Sequence, residues 1–201
     1  MLEAILAATL LLSTDWPTII KAVDTQVVRI EIMQGESTGT CTGSVIDAVR
    51  GFILTAAHCV PQGDKGEFSM TANRRDAQIV RVNRILDLAI LRFAARGETA
   101  IELAPSTPPD GTEVAVVGFG FGTRKVAKQF GHISAGITDD ESGVWIDVAT
   151  LQGDSGGPVI DAQGRQVAMS SSILYNGPAH ISHAVRIEDI RDFVVGFVAA
   201  R

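Results

Sequence analysis

The sequence lacks the features that mark several classes of protein. Its 201 residues include 17 Lys and Arg against 23 Asp and Glu, a formal net charge of −6, so the basic surface typical of nucleic-acid binders is missing. Internal repeats, low-complexity segments and long runs of like charge are missing as well. The apolar run from Ala4 to Leu12 is too short to span a bilayer. We therefore expect no nucleic-acid partner and no stable insertion into a membrane.

Cysteine is also scarce. Cys41 and Cys59 are the only two in the chain, and no CxxC or Cys/His group has the spacing of metal ligands. We therefore expect no bound metal and no cofactor. The first fourteen residues carry no Lys or Arg and no clear cleavage site. They are the remnant of a secretory signal, a helix packed on the rest of the chain, or an end set by how the protein was made.

The run Gly153-Asp154-Ser155-Gly156-Gly157-Pro158 is the most informative stretch of the chain. Glycines on both sides of Ser155 allow backbone conformations closed to other residues and let a substrate carbonyl approach closely. In such a frame the N–H groups of Gly153 and Ser155 can converge on one point and stabilise the negative oxygen of a tetrahedral intermediate. The pattern predicts that Ser155 is a nucleophile.

A serine nucleophile needs an imidazole to take its proton and a carboxylate to orient that imidazole. His58 follows the apolar run Gly51 to Thr55, so we expect it at the end of a strand. Asp87 opens the short apolar run DLAIL, which would hold an acid at the mouth of a buried strand. The alternatives for the acid are Asp47, Asp64 and Asp76.

The order His58, Asp87, Ser155, within TAAHC, DLAIL and GDSGGP, resembles the chymotrypsin-like (trypsin-fold) serine peptidases. The run Val27 to Ile30 is also similar to the first strand of HtrA-like bacterial peptidases. The resemblance implies an all-β fold of two antiparallel Greek-key β-barrels with the active site between them. It implies endopeptidase chemistry on peptide or protein substrates through an acyl-enzyme, with Ser155 as nucleophile, His58 as base and Asp87 as the orienting acid.

The resemblance also places the strands that carry Cys41 and Cys59 side by side, so it implies a disulfide between them. A disulfide indicates an oxidising compartment, and we therefore expect a secreted or periplasmic protein. The alternative is a pair of free, buried thiols in a cytosolic protein.

The chain divides into three predicted segments. Residues 1–24 are an N-terminal apolar segment with a short helix from Trp16 to Val23, residues 25–106 the first barrel, and residues 107–201 the second barrel with a helix from about Ile187. We expect the final helix to pack on the second barrel, and the Pro- and Gly-rich residues 105–111 to link the barrels. Apolar runs, several with a period of two, predict strands at Val28 to Ile32, Ile79 to Val82, Leu88 to Phe93, Val114 to Val117, Val144 to Val148, Pro158 to Ile160 and Gln166 to Met169.

The resemblance also locates the pocket for the side chain before the cleaved bond. Ala149 stands where relatives that cut after Arg or Lys carry an acid, and Ser170 where glutamate-specific relatives carry a histidine. Without a partner a charged side chain would be costly to desolvate there, so we expect cleavage after small or medium uncharged residues. The expected substrate-binding residues are Ala149, Thr150, Gln152, Ser170, Ser171 and Ser172, with Leu151 near the rim and the serines pairing with the substrate backbone.

Two questions stay open from the sequence. Digestive-type relatives free a new N-terminus, usually Ile-Val-Gly-Gly, whose amine pairs with the acid before the nucleophile. Asp154 is present here but that run is not, so either Asp154 has another partner or the loop forms without cleavage, as in HtrA-like peptidases. The alternative functions are a non-catalytic binding or scaffolding protein on the same fold and a self-processing module of a larger polypeptide. The oligomeric state is not indicated.

Overall fold

The computed structural model describes residues 14–62, 68–136, 143–173 and 181–198. They form two closed antiparallel barrels of six strands, with one helix before the first barrel and one after the second. The prediction of an all-β double barrel with short helices at both ends is confirmed. The first barrel contains β1 (Val27–Gln34), β2 (Ser37–Asp47), β3 (Phe52–Ala56), β4 (Phe68–Ala72), β5 (Arg75–Asn83) and β6 (Leu88–Phe93). The second contains β7 (Glu113–Gly118), β8 (Ala127–Ala135), β9 (Val144–Ile146), β10 (Pro158–Ile160), β11 (Gln166–Ile173) and β12 (Ser182–Arg186), and the helices are α1 (Trp16–Val23) and α2 (Ile187–Val198).

The two barrels share one topology. Neighbouring strands follow the order β1-β2-β3-β6-β5-β4 in the first barrel and β7-β8-β9-β12-β11-β10 in the second. The step from the third strand to the sixth is a Greek-key connection. Among the residues described, no helix is long and apolar enough to cross a bilayer.

The pairing of β3 with β6 determines where the first barrel presents polar groups. Both strands are almost wholly buried because nearly all of their residues are apolar. Their register pairs Ala56, the last residue of β3, with Leu88, the first residue of β6. A short 3₁₀ turn, Ala57–Cys59, therefore lies beside the residue that precedes β6. The N–H of Ala57 donates to the carbonyl of Asp87 at 3.0 Å.

The glycine-rich run lies where the barrels meet. It leads directly into β10, whose Pro158 pairs with Met169 of β11. On its other side, the N–H of Thr42 in β2 donates to the carbonyl of Ser155 at 2.9 Å. The run is thus attached to both barrels.

Each helix contacts the barrel that is distant from it in sequence. Helix α1 begins at Trp16, with the Asp15 carboxylate accepting from Thr18 N–H, and it packs on a second-barrel cluster that includes Val117 and Ile160. Helix α2 lies on β11 and β12, as predicted, but it also reaches the first barrel. Its aromatic side chains explain the difference, because the Phe197 ring meets the Phe52 ring edge to face at 5.0 Å between centroids.

The segment between the barrels is fastened to α2. Residues 105–112 contain no strand, and Leu103 forms a single parallel bridge with Gln166. The backbone N–H and the hydroxyl of Thr107 each donate to the Glu188 carboxylate at 2.7 Å. Burial alone would raise the pKa of Glu188, but these hydrogen bonds outweigh it and lower that pKa. The linker is therefore ordered by an ionised side chain in the first turn of α2.

Candidate active site

His58 and Asp87 are held together by two hydrogen bonds. The ring Nδ1 of His58 lies 2.9 Å from Asp87 Oδ2, and the backbone N–H of His58 donates to Asp87 Oδ1 at 2.9 Å. One carboxylate thus fixes both the ring and the backbone of His58. With Nδ1 facing the carboxylate, the second ring nitrogen, Nε2, is left for another partner. Of the alternative acids, Asp47 accepts from the N–H of Arg50, Asp76 lies on β5, and Asp64 is outside the described residues.

Asp87 is kept ionised by its surroundings. It has a φ of 53°, which turns the chain sharply just before β6. Burial of the Asp87 carboxyl group raises its pKa, but the hydrogen bonds from His58 and from the Ser171 hydroxyl, which lies 2.6 Å from Oδ2, lower the pKa by more than burial raises it. The net effect is a pKa below the usual range. Ser171 is therefore a partner of the acid as well as a residue of the cleft, a role that the sequence did not reveal.

The loop that carries Asp87 is itself braced. The side-chain oxygen of Asn83 accepts from the N–H groups of Ile85 and Leu86. The Arg84 guanidinium donates to the carbonyl of Ala57 at 2.9 Å and to that of Val60 at 3.2 Å, one on each side of the His58 turn. Arg84 therefore links the acid loop to the histidine turn. The sequence does not indicate this contact of Arg84, because the contact depends on how β3 and β6 pair.

Ser155 lies between two positions, Gly153 and Gly156, at which the backbone conformation favours glycine. Gly153 and Gly156 have φ values of 107° and 82°, in the region that disfavours side chains. A Cβ on Gly153 would lie 2.5 Å from the Phe119 carbonyl oxygen, and one on Gly156 would lie 2.2 Å from the Thr55 hydroxyl oxygen. The hydroxyl of Ser155 donates to the carbonyl of Ser171 at 3.3 Å in this structure, rather than to His58.

Two amide groups beside Ser155 have no acceptor among the described residues, namely the N–H of Gly153 and that of Ser155. The carbonyl of Gln152 accepts from Phe121 N–H, and the trans peptide turns the Gly153 N–H in the opposite direction. In the same way the Asp154 carbonyl accepts from Gly157 N–H, which directs the Ser155 N–H away from Gly157. Thr42 also fixes this loop, since its hydroxyl donates to the Gly153 carbonyl at 2.7 Å.

Asp154 has partners inside the second barrel. It is fully buried, and its Oδ2 accepts from Leu151 N–H at 2.8 Å and from the side-chain amide of Gln129 at 3.1 Å. Burial raises the pKa of Asp154, and the hydrogen bonds from Leu151, Gly120 and Gln129 offset only part of that effect. Among the described residues, the partners of Asp154 that the sequence left open are therefore neutral donors.

A cleft of about 380 Å³ brings together most of the predicted site residues, including His58 and Ser155. Among the described residues that line the cleft, His58 is the only one with an acidic or basic side chain. Thr150 is 6% exposed, and its hydroxyl lies 2.8 Å from the hydroxyl of Ser182, which donates to the Val148 carbonyl. The lining residues are Thr40, Cys41, His58, Thr150, Leu151, Gln152, Gly153, Ser155, Ser170 and Ser171.

Three of the predicted substrate contacts have surroundings that differ from the expectation. Ala149 is exposed and does not line this cleft. The N–H of Ser170 donates to Gly157 and its carbonyl accepts from Gly156, so its backbone is already paired on that side. Ser172 follows an irregularity in the pairing of β11 with β12. A free backbone edge for substrate would therefore begin at Ser171.

The disulfide between Cys41 and Cys59 is present, with their Cα atoms 6.2 Å apart. It joins β2 to the turn that carries His58, next to the cleft. Within the described parts of the chain, no group of three or more His, Cys, Asp or Glu side chains could hold a metal ion.

Sequence comparison places the chain among known peptidases. The trypsin-like peptidase domain family matches residues 41–169, well over half of the chain. The pro-apoptotic serine protease NMA111 of Coccidioides immitis is 26% identical over 191 residues, which cover 83% of this chain and 18% of that protein. The protein of the same description from Debaryomyces hansenii is 30% identical over 185 residues, which cover 79% of this chain and 19% of that protein. The chain thus spans about a fifth of the length of these curated relatives.

Solved structures share the fold. The Rv3671c protease from M. tuberculosis in its active form superimposes with a TM-score of 0.77 at 21% identity, covering 88% of this chain and 82% of that chain. The serine endoprotease from Yersinia pestis gives a TM-score of 0.79 at 20% identity, covering 94% of this chain and 68% of that chain. At these identities the likeness concerns the fold alone. The family match over residues 41–169 leads to one conclusion: this chain belongs to the trypsin-like peptidase domain family.

Proposed function

We propose that this chain hydrolyses peptide bonds of protein substrates through an acyl-enzyme, with His58, Asp87 and Ser155 as its catalytic residues. The observation that carries the proposal is that Asp87 accepts two hydrogen bonds from His58, which lines a cleft that also contains Ser155. That arrangement holds the ring in one orientation and leaves Nε2 to act on the serine.

The first chemical step is attack by Ser155 Oγ on the substrate carbonyl. The hydroxyl now donates to the Ser171 carbonyl, so rotation about one side-chain bond must first turn it towards His58 Nε2. His58 takes the proton as general base, and Asp87 stabilises the imidazolium that forms. His58 then returns the proton to the leaving amine. A water molecule activated by the same ring hydrolyses the acyl-enzyme.

The N–H groups of Gly153 and Ser155 are the proposed oxyanion hole. Both lack an acceptor in the described structure. Each is oriented because the carbonyl in the same peptide group, that of Gln152 or Asp154, accepts a hydrogen bond. Donors that are already fixed need no reorganisation when negative charge develops on the substrate oxygen. Loss of one such donor typically costs about 3 to 4 kcal/mol of barrier.

The proposed preference is for small or medium uncharged side chains before the cleaved bond. Thr150, Ser170 and Ser171 give the described lining of the pocket hydroxyl groups but no charge. A cationic or anionic side chain would lose its water there without gaining a partner. Cleavage profiling on a peptide library tests this preference, and a majority of sites after Lys, Arg or Glu would contradict it.

Covalent labelling tests the catalytic proposal. A fluorophosphonate probe reacts with an activated serine, so the native protein should be labelled and Ser155→Ala should not. Ser106→Ala, an exposed serine in the linker, is the matched control and should label like the native protein. A folded native protein that resists the probe would support the non-catalytic binding or scaffolding alternative. Intact-mass analysis of both termini tests the self-processing alternative.

The orienting acid is tested separately. Asp87→Asn keeps the shape but allows the wrong tautomer of His58, and we expect kcat to fall by a factor on the order of 10⁴. Asp76→Asn, an exposed acid on β5, is the control and should leave kcat unchanged. Equal activity of Asp87→Asn and the native protein would remove Asp87 from the mechanism.

The remaining proposals concern context. We propose residues 25–106 and 107–201 as the two halves, preceded by residues 1–24. The disulfide beside His58 favours an oxidising compartment and hence a secreted or periplasmic protein. A reduced Cys41–Cys59 pair in the protein isolated from its source cell would contradict this location.

A further inference from the structure

A second groove lies outside the cleft that contains Ser155. It runs between β1, the tight turn from β4 to β5, and the segment 119–128 that leads from β7 into β8, and its volume is about 530 Å³. We call it the basic groove. Its cationic side chains outnumber its carboxylates five to two, on a chain whose formal net charge is −6. The cations are Arg29, Arg74, Arg124, Lys125 and Lys128.

Only part of this positive charge is neutralised within the groove. Lys128 pairs with Asp24 at 2.7 Å, and Arg29 pairs with Glu31. Arg74, Arg124 and Lys125 are exposed and form no ion pair among the described residues. In addition, the Nε atom of Arg29 is buried without an acceptor in the described structure. The groove therefore offers unused donors and positive charge to an incoming anion.

Arg74 is held on the rim of the groove by its turn. Asn73 and Arg74 have φ values of 47° and 63°, and Ala72 pairs with Arg75, which defines a two-residue hairpin turn that favours glycine. Two hydrogen bonds fix that turn to β1, because the backbone N–H of Asn73 donates to Arg29 and its side-chain oxygen accepts from Arg29. A positive φ is uncommon for arginine, and residues held in such conformations cluster at functional sites.

The basic groove adjoins the proposed oxyanion loop without being part of the cleft. Arg29 Nη2 donates to the Thr40 hydroxyl at 3.2 Å and to the Gly122 carbonyl at 3.3 Å, and Thr40 lines the cleft. Phe119 lines the groove, and its carbonyl faces Gly153. A segment bound in the groove would therefore contact Phe119, whose carbonyl lies close to Gly153.

We propose that the basic groove is a binding site for an acidic segment of a polypeptide, separate from the cleft in which the bond is cut. Carboxylates of Asp or Glu would pair with Arg74, Arg124 and Lys125. The apolar floor formed by Val27, Phe119 and Val126 would contact the aliphatic parts of the segment. A peptide fits better than a nucleic acid, because the negative charge of the rest of the chain repels a long polyanion beyond the groove.

Binding is measured on the Ser155→Ala protein, so the result does not depend on the proposed catalysis. Titration calorimetry at low salt would use a synthetic peptide rich in Asp and Glu, with its Asn and Gln counterpart as the neutral control. We expect the acidic peptide to bind and its affinity to fall as salt is raised. Arg124→Glu/Lys125→Glu should weaken binding roughly tenfold or more, since charges facing the ligand are reversed.

The control variant reverses the same number of charges elsewhere. Arg92 and Arg96 are exposed and lie outside the groove, and Arg92→Glu/Arg96→Glu should change the affinity by less than about twofold. Equal weakening by both double variants would overturn the proposal, because it would show a general effect of net charge. Binding of the neutral peptide with the same affinity, or tighter binding of a single-stranded oligonucleotide of equal charge, would also overturn it.

A single substitution keeps the test decisive if the double variant does not fold. Arg74→Gly removes one rim charge and places glycine in the conformation it favours. We expect this variant to unfold at a higher temperature than the parent and to bind the acidic peptide several-fold more weakly. Unchanged affinity together with raised stability would assign Arg74 no role in binding and would refute the proposal.

Discussion

Thr42→Val tests whether the first barrel holds the loop around Ser155. The Thr42 side chain is fully buried, and its hydroxyl donates to the Gly153 carbonyl at 2.7 Å while accepting from Phe119 N–H at 3.0 Å. Valine has nearly the same shape but no hydroxyl. The substitution therefore leaves one buried carbonyl and one buried N–H without a partner.

The expected cost follows from those two groups. Leaving a buried polar group unpaired costs about 1 to 3 kcal/mol, so Thr42→Val should lower the free energy of unfolding by about 2 to 6 kcal/mol. Release of the Gly153 carbonyl also loosens the peptide between Gly153 and Asp154, which lies between the two peptides that carry the Gly153 and Ser155 N–H groups. We expect kcat to fall by roughly tenfold to a hundredfold, less than complete loss of an oxyanion donor, while KM changes little.

Urea unfolding and steady-state hydrolysis of a short peptide measure the two effects. Thr42→Ser is the matched control, because it keeps the hydroxyl and removes only a methyl group. It should lose about 1 kcal/mol and retain most of kcat. If Thr42→Val were as stable as Thr42→Ser, the two hydrogen bonds would carry no net free energy. If its kcat were also unchanged, the Thr42 hydroxyl would have no part in positioning the loop.

Three further predictions concern ionisable groups and the disulfide. Burial raises the pKa of Asp154, so the native state holds this proton more tightly than the unfolded chain, and the free energy of unfolding should fall as pH rises past the usual carboxyl range. Asp154→Asn should remove this fall when urea midpoints are measured against pH. An unaltered pH dependence would assign the fall to other groups. Burial would raise the pKa of Glu98, but hydrogen bonds led by that from Arg75 lower it from 4.5 to about 2, so its stabilisation is complete above pH 4.5 and is lost as pH falls towards 2. Glu98→Gln should flatten the stability curve in that window, and a curve parallel to the native one would contradict the assignment. Cys41→Ser/Cys59→Ser opens a loop closed over a sequence separation of 18, which should cost about 3 kcal/mol of unfolding free energy, and a loss below about 1 kcal/mol would refute the loop-entropy estimate.

The parts of the site that the sequence indicates are those that rest on local backbone rules. Gly153 and Gly156 are required because their positive φ values and close contacts exclude a side chain. Such glycines can be recognised from the sequence alone. The pairing of His58 with Asp87 was less accessible, because it depends on the register of β3 with β6. The apolar runs of both strands predicted burial but not which strand lies beside which.

Three strands carried no clear signal. Strand β4 is only five residues long, β8 alternates weakly because most of its residues are partly exposed, and β12 is a short mixture of polar and apolar residues. Each is completed by tertiary pairing on both sides, which local pattern does not contain. The contacts of Thr42, Arg84 and Ser171 were missed for the same reason. Each joins segments far apart in the chain, and serine, threonine and arginine occur in many other settings.

The contacts of the helices make each barrel depend on the other. If the backbone were severed in the linker, α1 would remain with the first barrel although most of the surface it covers belongs to the second. Helix α2 would remain with the second barrel, on which it lies, and would lose the contact of Phe197 with Phe52 of the first barrel. Either fragment alone would leave apolar surface in water, whereas a mixture of the two could restore both. The same arrangement would allow two intact molecules to exchange halves at high concentration and form an intertwined dimer.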